Sequence, residues 1–303
     1  ELLTTVLRQR WGFTGTVVSD YWAISFLAVM HRVAADLSEA GRMALTAGID
    51  VELPQTSAYL TLADDVEQGR LGADVLDTAV RRVLEQKIRH GLLDQGWDPD
   101  AQGDPSRDLD SPRNRDIARR VAEESVVLLA NDGILPLAAP RIALVGPVAA
   151  EPRSFMGCYA FPNHVLSRYA DRGTGLPVAS LAEGLAAELP ASSVVTVAGV
   201  PFLDRDRSQI DAAVEAARTA DVAVVAVGDL AGMFGTGTSG EGCDSEDLRL
   251  PGLQGDLVEA VLATGTPTVL LLVSGRPYAL GAYASRCRAV VCALMPGAEG
   301  ASA

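Results

Sequence analysis

Val222-Ala223-Val224-Val225-Ala226-Val227-Gly228, followed by Asp229, is the stretch from which the fold is read: six consecutive apolar residues closed by a glycine. Short apolar runs of this kind between turn signals read as strands. Comparable runs stand upstream at Ile142 to Val145 and Val194 to Val197, and downstream at Val269 to Val273 and Ala289 to Leu294. Helical starts fall among them: near Ser180 with Glu183 three residues on, near Ser208 with Asp211 three on, and at Pro251. Strands alternating with helices predict an α/β domain with a mostly parallel, doubly wound sheet. Ahead of it, Ile117, Val121, Ser125 and Leu128 are spaced to line one side of a helix.

The same alternation appears at the other end of the chain. The turn-like Trp11-Gly12-Phe13-Thr14-Gly15 precedes Thr16-Val17-Val18, a short β-branched strand that runs into Ser19-Asp20. Asp36, with Glu39 three residues on, predicts the start of a helix over Leu37 to Ala47, stopped by Gly48. Ile49 to Leu53 reads as a second strand closed by Pro54, and Leu76, Val80, Val83, Leu84 and Ile88 predict a helix before Gly91. Between Asp94 and Pro112, six Asp, three Pro and two Gly replace any apolar periodicity, the profile of an exposed connection. The expected organisation is 1–93, an acidic linker over 94–112, and an α/β domain over 113–303. Glu1-Leu2-Leu3-Thr4 has neither an initiator Met nor the regions of a signal peptide, and reads as a cut within a longer chain.

Composition excludes several functions. Against 39 Asp+Glu there are 25 Lys+Arg, a net charge of −14, which is the wrong sign for binding nucleic-acid phosphates. No apolar run approaches the roughly 20 residues of a spanning helix, so no membrane partner is expected. Cys158, Cys243, Cys287 and Cys292 with His31, His90 and His164 form no CxxC or HExxH pattern, so no metal and no cofactor are expected. Cys292 reads as a buried structural thiol, and His31 and His164 as ordinary polar contacts. Localisation and oligomeric state stay open, with a lean toward the cytoplasm.

Parallel α/β folds gather their sites at the carboxyl ends of strands. Two carboxylates fit. Asp20 follows the first strand; its competing reading is a helix N-cap or a solvated strand-end residue. Glu241 lies in Asp229 to Arg249, the 21 residues after the Val222 run, far longer than the ~2–6 of most connections. Six glycines from Gly228 to Gly242 permit close approach to another surface and suggest a mobile lid. The competing reading of Glu241 is one solvated charge among Asp244, Glu246 and Asp247. A phosphate loop is disfavoured, since no Lys-Ser/Thr follows the glycines. Tyr21, Trp22 and Phe234 are either core residues or a platform on which a sugar stacks.

The block Leu2-Leu3, Leu7-Arg8 and Trp11 to Tyr21 resembles the strand-seven region of glycoside hydrolase family 3. Ala47 to Pro54 is similar to that family's last barrel strand, and Ala122 to Leu137 to the start of its second domain. Ser239-Gly240-Glu241-Gly242-Cys243-Asp244, Leu248 to Gln254 and Ser274-Gly275-Arg276-Pro277 follow in the family's order. The chain departs from the pattern at Ala130, where a Lys is usual, and at Ser245, where an Arg is common.

The resemblance implies the last two β/α units of a (β/α)8 barrel followed by an α/β sandwich. It implies a retaining, exo-acting β-glycosidase releasing terminal β-glucose or β-xylose from a small glycoside or oligosaccharide, with Asp20 as nucleophile and Glu241 as acid/base. An N-acetyl-β-glucosaminidase branch of the family and a catalytically silent carbohydrate-binding fragment are the alternatives. The barrel strands that would grip the sugar are missing, so the chain alone is expected to be inactive.

Overall fold

A computed structural model describes residues 1–303 apart from Pro105 and Ser167, and apart from the side chains of Gln102 and Ala170. The chain divides into two units, Glu1–Arg107 and Asp108–Ala303, and the division falls inside the acidic stretch. Among the described residues no helix is long and apolar enough to cross a membrane.

In the first unit a π-helical segment, Leu2–Arg10, leads into strand β1 (Val18–Tyr21), helices α1 (Ala23–Val29) and α2 (Leu37–Ala47), strand β2 (Val51–Leu53), and helices α3 (Leu62–Glu67) and α4 (Ala73–Arg89). Helix α2 begins and ends where its caps dictate. Asp36 accepts the Glu39 N–H at 2.8 Å, and Gly48, at φ +113°, returns its own N–H to Ala44 and Leu45. Its buried face, Ala40 and Ala44, packs with Ile24 of α1, while Leu45 meets Ala79 of α4.

The strand expected at Thr16 to Val18 lies instead at Val18–Tyr21, so Ser19 and Asp20 are inside it. The cause is the Asp50 carboxylate, which takes the Val17 N–H at 2.8 Å and is itself clasped by Arg8 at 2.6 Å and Arg82 at 2.8 Å. Strand β2 is correspondingly shortened from Ile49 to Val51, because the Ile49 carbonyl accepts the Tyr59 hydroxyl at 2.7 Å. β1 and β2 are parallel, Val18 facing Val51 and Tyr21 facing Leu53. Three steps along β1 thus answer two along β2, an extra residue at Ser19-Asp20. Bulges of this kind re-aim side chains.

The second unit contains α5 (Pro112–Ser125), β3 (Val126–Asn131), β4 (Arg141–Val145), α6 (Phe161–Leu166), α7 (Leu181–Glu188), β5 (Ser193–Val197), α8 (Ile210–Thr219), β6 (Val222–Gly228), α9 (Gln254–Leu262), β7 (Thr268–Val273), α10 (Gly281–Ala284) and β8 (Ala289–Ala293). The strands form one sheet in the order β3-β8-β7-β6-β4-β5, all parallel except β3 against β8. Every residue of β6 is buried. Ala223, Val225 and Val227 enter one apolar cluster with Ala213 and Ala217 of α8 and Leu257, Val258 and Val261 of α9. Val222, Val224 and Ala226 enter another with Val148, Phe155 and Met156. At β6 both faces of the sheet are therefore covered, as the centre of a parallel sheet requires, while the edge strands β3 and β5 are largely exposed.

Three sequence expectations give way here. Leu128 belongs to β3, not to the helix, because the β-branched Val126 and Val127 pair with β8 in an antiparallel ladder. Ser208 does not cap α8: its hydroxyl bonds Asp206 instead, and the helix starts at Ile210. The helix expected from Pro251 begins at Gln254, after a turn in which the Gln254 N–H reaches the Pro251 carbonyl. Ser180, by contrast, forms a complete capping box with Glu183.

Candidate active site

Gly228 ends β6 at φ +139°, and a Cβ there would stand 1.8 Å from the Val273 carbonyl oxygen, so only glycine lets β6 and β7 close together. Its backbone is held by the fully buried Gln254 at the start of α9. Gln254 Oε1 accepts the Gly228 N–H at 2.7 Å, and Nε2 donates to the carbonyls of Gly228 at 2.9 Å and Phe202 at 3.3 Å.

Asp229 follows, with no exposed surface. Its Oδ1 accepts the hydroxyls of Thr238 and Tyr278, both at 2.6 Å, and its Oδ2 accepts the Gly275 N–H at 2.9 Å. Burial, then the hydrogen bond to Asp229, push the Tyr278 phenol well above its ordinary range, so it remains a donor. From this root the loop runs out and back. The Thr238 N–H reaches the Leu230 carbonyl at 3.0 Å, the Gly232 N–H the Ser239 carbonyl at 2.9 Å, and the Phe234 N–H the Glu241 carbonyl at 2.7 Å. Arg276 closes the far end on the Cys243 carbonyl at 2.6 Å. The segment read as a mobile lid is thus a laced, two-limbed loop with Glu241 on its return limb.

The Glu241 side chain is exposed, and its carboxylate accepts the hydroxyl of Tyr159. The Tyr159 ring stacks on His164 with centroids 5.9 Å apart, and Cys158 lies against Gly240. Of the neighbouring acids, Asp247 is paired with Arg249 at 2.6 Å, which holds its carboxyl below the usual range. Ser245, standing where an Arg is common, hydrogen-bonds the Asp247 backbone. Ala130 is an exposed residue of β3. Phe234, 66% exposed and at φ +54°, sits on the outward limb opposite Glu241. Beside the loop a cavity of about 690 Å³ opens among Gly242, Asp244, Arg205, Arg276, Tyr278 and Tyr283; Glu241 is not among its lining residues.

In the first unit Asp20 is exposed on the bulge of β1, and among the described residues its carboxylate accepts only the Tyr21 N–H, at 2.7 Å. Ser19, one residue earlier, is buried, and its hydroxyl oxygen accepts the Leu53 N–H at 2.9 Å. Tyr21 and Trp22 are both exposed and meet edge to face at 5.8 Å. Trp22 is held at φ +58° by its N–H on the Leu53 carbonyl at 3.0 Å. These aromatics are therefore surface residues and not core. Each candidate carboxylate has exposed aromatics beside it, and among the described residues neither is paired with a cation.

The sequence reading missed Tyr159, Asp229 and Gln254. Asp229 could have been found from its place directly after the buried run, whereas Tyr159 lies 82 residues from Glu241 with no spacing to betray it.

Residues 1–86 match the glycosyl hydrolase family 3 N terminal domain, and residues 126–303 match the glycosyl hydrolase family 3 C-terminal domain. The chain is 34% identical to a periplasmic beta-glucosidase of Salmonella typhimurium, over 100% of this chain and 41% of that protein. It is 31% identical to a beta-xylosidase of Formosa agariphila, over 92% of this chain and 38% of that protein. The crystal structure of a beta-glucosidase from Listeria innocua in complex with isofagomine superposes with a TM-score of 0.82 at 28% identity, over 99% of this chain and 40% of that one. The chain thus spans about two-fifths of the length of these relatives. With both domains of one family matched in order along it, this chain belongs to glycosyl hydrolase family 3.

Proposed function

We propose that the protein carrying this chain is a retaining, exo-acting β-glycosidase that releases terminal β-D-glucosyl or β-D-xylosyl residues. In this reading the first unit is the end of a (β/α)8 barrel and the second an α/β sandwich, so that Asp20 and Glu241 both stand at carboxyl ends of parallel strands. The Asp20 carboxylate attacks the anomeric carbon. The bond to the leaving oxygen breaks as the Glu241 carboxyl gives that oxygen its proton. Glu241 then takes a proton from water, whose oxygen displaces Asp20 and frees the sugar with its configuration retained. Tyr21, Trp22 and Phe234 offer aromatic faces for the C–H surface of a sugar.

The observation that carries this reading is that Asp20 and Glu241 are exposed carboxylates with no cation partner among the described residues, each in the part of the chain that matches its family domain. The names of the relatives, beta-glucosidase and beta-xylosidase, support the two sugar classes. The test is hydrolysis of nitrophenyl β-glucoside and β-xyloside by the protein and by its Glu241→Ala variant. The variant should retain kcat/KM for activated substrates, lose alkyl glycosides, and, having lost the base of the second displacement, recover turnover with azide as a β-glycosyl azide. Rescue by azide in Glu246→Ala but not in Glu241→Ala would move the acid/base role to Glu246.

A further inference from the structure

We propose that Asp229 is a positioning residue for the acid/base loop: its buried carboxyl group, by holding Thr238, Tyr278 and Gly275 together, sets where Glu241 stands. The inference rests on the reading of Glu241 as acid/base.

A buried acid is costly to desolvate unless its oxygens are hydrogen-bonded, and Asp229 meets that condition with three donors and, among the described residues, no cation. Those donors come from two places. Gly275 and Tyr278 belong to the connection after β7, which the sheet fixes in space. Thr238 belongs to the return limb of the loop, three residues before Glu241. The Thr238 hydroxyl also accepts the Leu230 N–H at 2.9 Å, so one oxygen ties both limbs to the carboxyl group. Beyond it the backbone rungs at Gly232 and Phe234 carry the constraint to the Glu241 carbonyl itself. Without the anchor the return limb keeps its rungs and the Arg276 hydrogen bond at Cys243 but loses its registration at Thr238. A displacement of about 1 Å at a proton-transfer group costs on the order of a hundredfold in rate.

Asp229→Asn is the incisive change, because the amide oxygen can keep Thr238 and Tyr278 while the amide N–H faces the Gly275 N–H and loses that link. In the full protein, kcat/KM for alkyl β-glycosides should fall by roughly 10- to 100-fold, while kcat/KM for nitrophenyl glycosides, whose leaving groups need no proton, should fall by less than about threefold. Combined with Glu241→Ala, the change should add less than about threefold, since both act through the Glu241 carboxyl group. Amide exchange across residues 230–242 should quicken. Equal loss of kcat/KM on both substrate types, or unchanged exchange in that loop, overturns the inference. If Glu241→Ala itself shows no leaving-group dependence, the acid/base reading fails instead, and the exchange measurement still reports on the anchor. Tyr278→Phe and Thr238→Val each remove one donor and serve if Asp229→Asn does not fold. Faster exchange in both supports the anchor, and none in either refutes it.

Discussion

Replacing Gln254 by Leu removes a side chain that substitutes for strand pairing at the end of β6. Leucine fits the volume and adds apolar contact, so the change isolates the hydrogen bonds. The Gly228 N–H and carbonyl are buried and lose partners at 2.7 and 2.9 Å; the Phe202 carbonyl loses a longer contact of 3.3 Å. Each buried backbone group left unpaired costs about 1–3 kcal/mol, so the two short bonds together cost about 2–6 kcal/mol. Freeing the amide from burial returns about 1–2 kcal/mol. At mid-range values the net loss is about 2.5 kcal/mol. Amides of β6 exchange through opening of the whole sheet, and one factor of ten corresponds to about 1.4 kcal/mol, so protection over Val222–Gly228 should drop roughly 60-fold. Hydrogen exchange read by mass spectrometry measures this directly. Protection within about threefold of the parent would show that Gln254 only fills space, and that the reasoning about the root of the Glu241 loop is mistaken.

Other consequences follow from single contacts. Gly228→Ala drives a Cβ to within 1.8 Å of the Val273 carbonyl and should prevent the second unit from folding, whereas Gly265→Ala, with no atom within 4 Å, should cost only about 1–2 kcal/mol for its φ of +76°; soluble yield and melting temperature separate the two. Asp65 is buried, which works against its charge, but hydrogen bonds from Arg70, Ser38 and Arg42 override this and lower its carboxyl below the ordinary 3.8. The stability it gives the first unit is therefore fully present above about pH 4 and lost as pH falls through the folded value. Unfolding midpoints measured from pH 6 to 2 should show that decline, and Asp65→Asn should flatten it. Tyr159→Phe takes the hydroxyl from Glu241 and should lower kcat/KM for alkyl glycosides about 3- to 30-fold, with kcat/KM for nitrophenyl glycosides nearly unaffected; equal losses on both would remove Tyr159 from the site.

Local chemistry explains which features the sequence disclosed. The valine-rich runs are strands because they have no polar face to turn outward, and their limits match β4 to β8 within a residue. Helix α2 was legible because Asp36 and Gly48 act on their own neighbours. Errors arose where a distant group competes. Asp50, clasped by Arg8 and Arg82, takes the Val17 N–H and shifts β1 by two residues. β8 draws Val126 to Asn131 into its ladder against a helical spacing that runs on to Leu128. The sheet order, in which β4 stands between β5 and β6, has no local signature at all. At the candidate site, Glu241 was visible through the glycines around it, while its contacts were not. Tyr159 reaches it through a tertiary hydrogen bond, and Asp229 acts on the same loop through Thr238, three residues before Glu241.

We propose that Asp20 forms the covalent bond to the sugar in the first displacement. A 2-deoxy-2-fluoro-β-glycoside with a good leaving group lets the first displacement proceed and stalls the second, so the glycosyl-enzyme accumulates. Peptide mapping by mass spectrometry of the trapped protein should find one sugar on the peptide that contains Val18-Ser19-Asp20-Tyr21, and none in Asp20→Asn. A label on any other carboxylate, or its persistence in Asp20→Asn, would contradict the account.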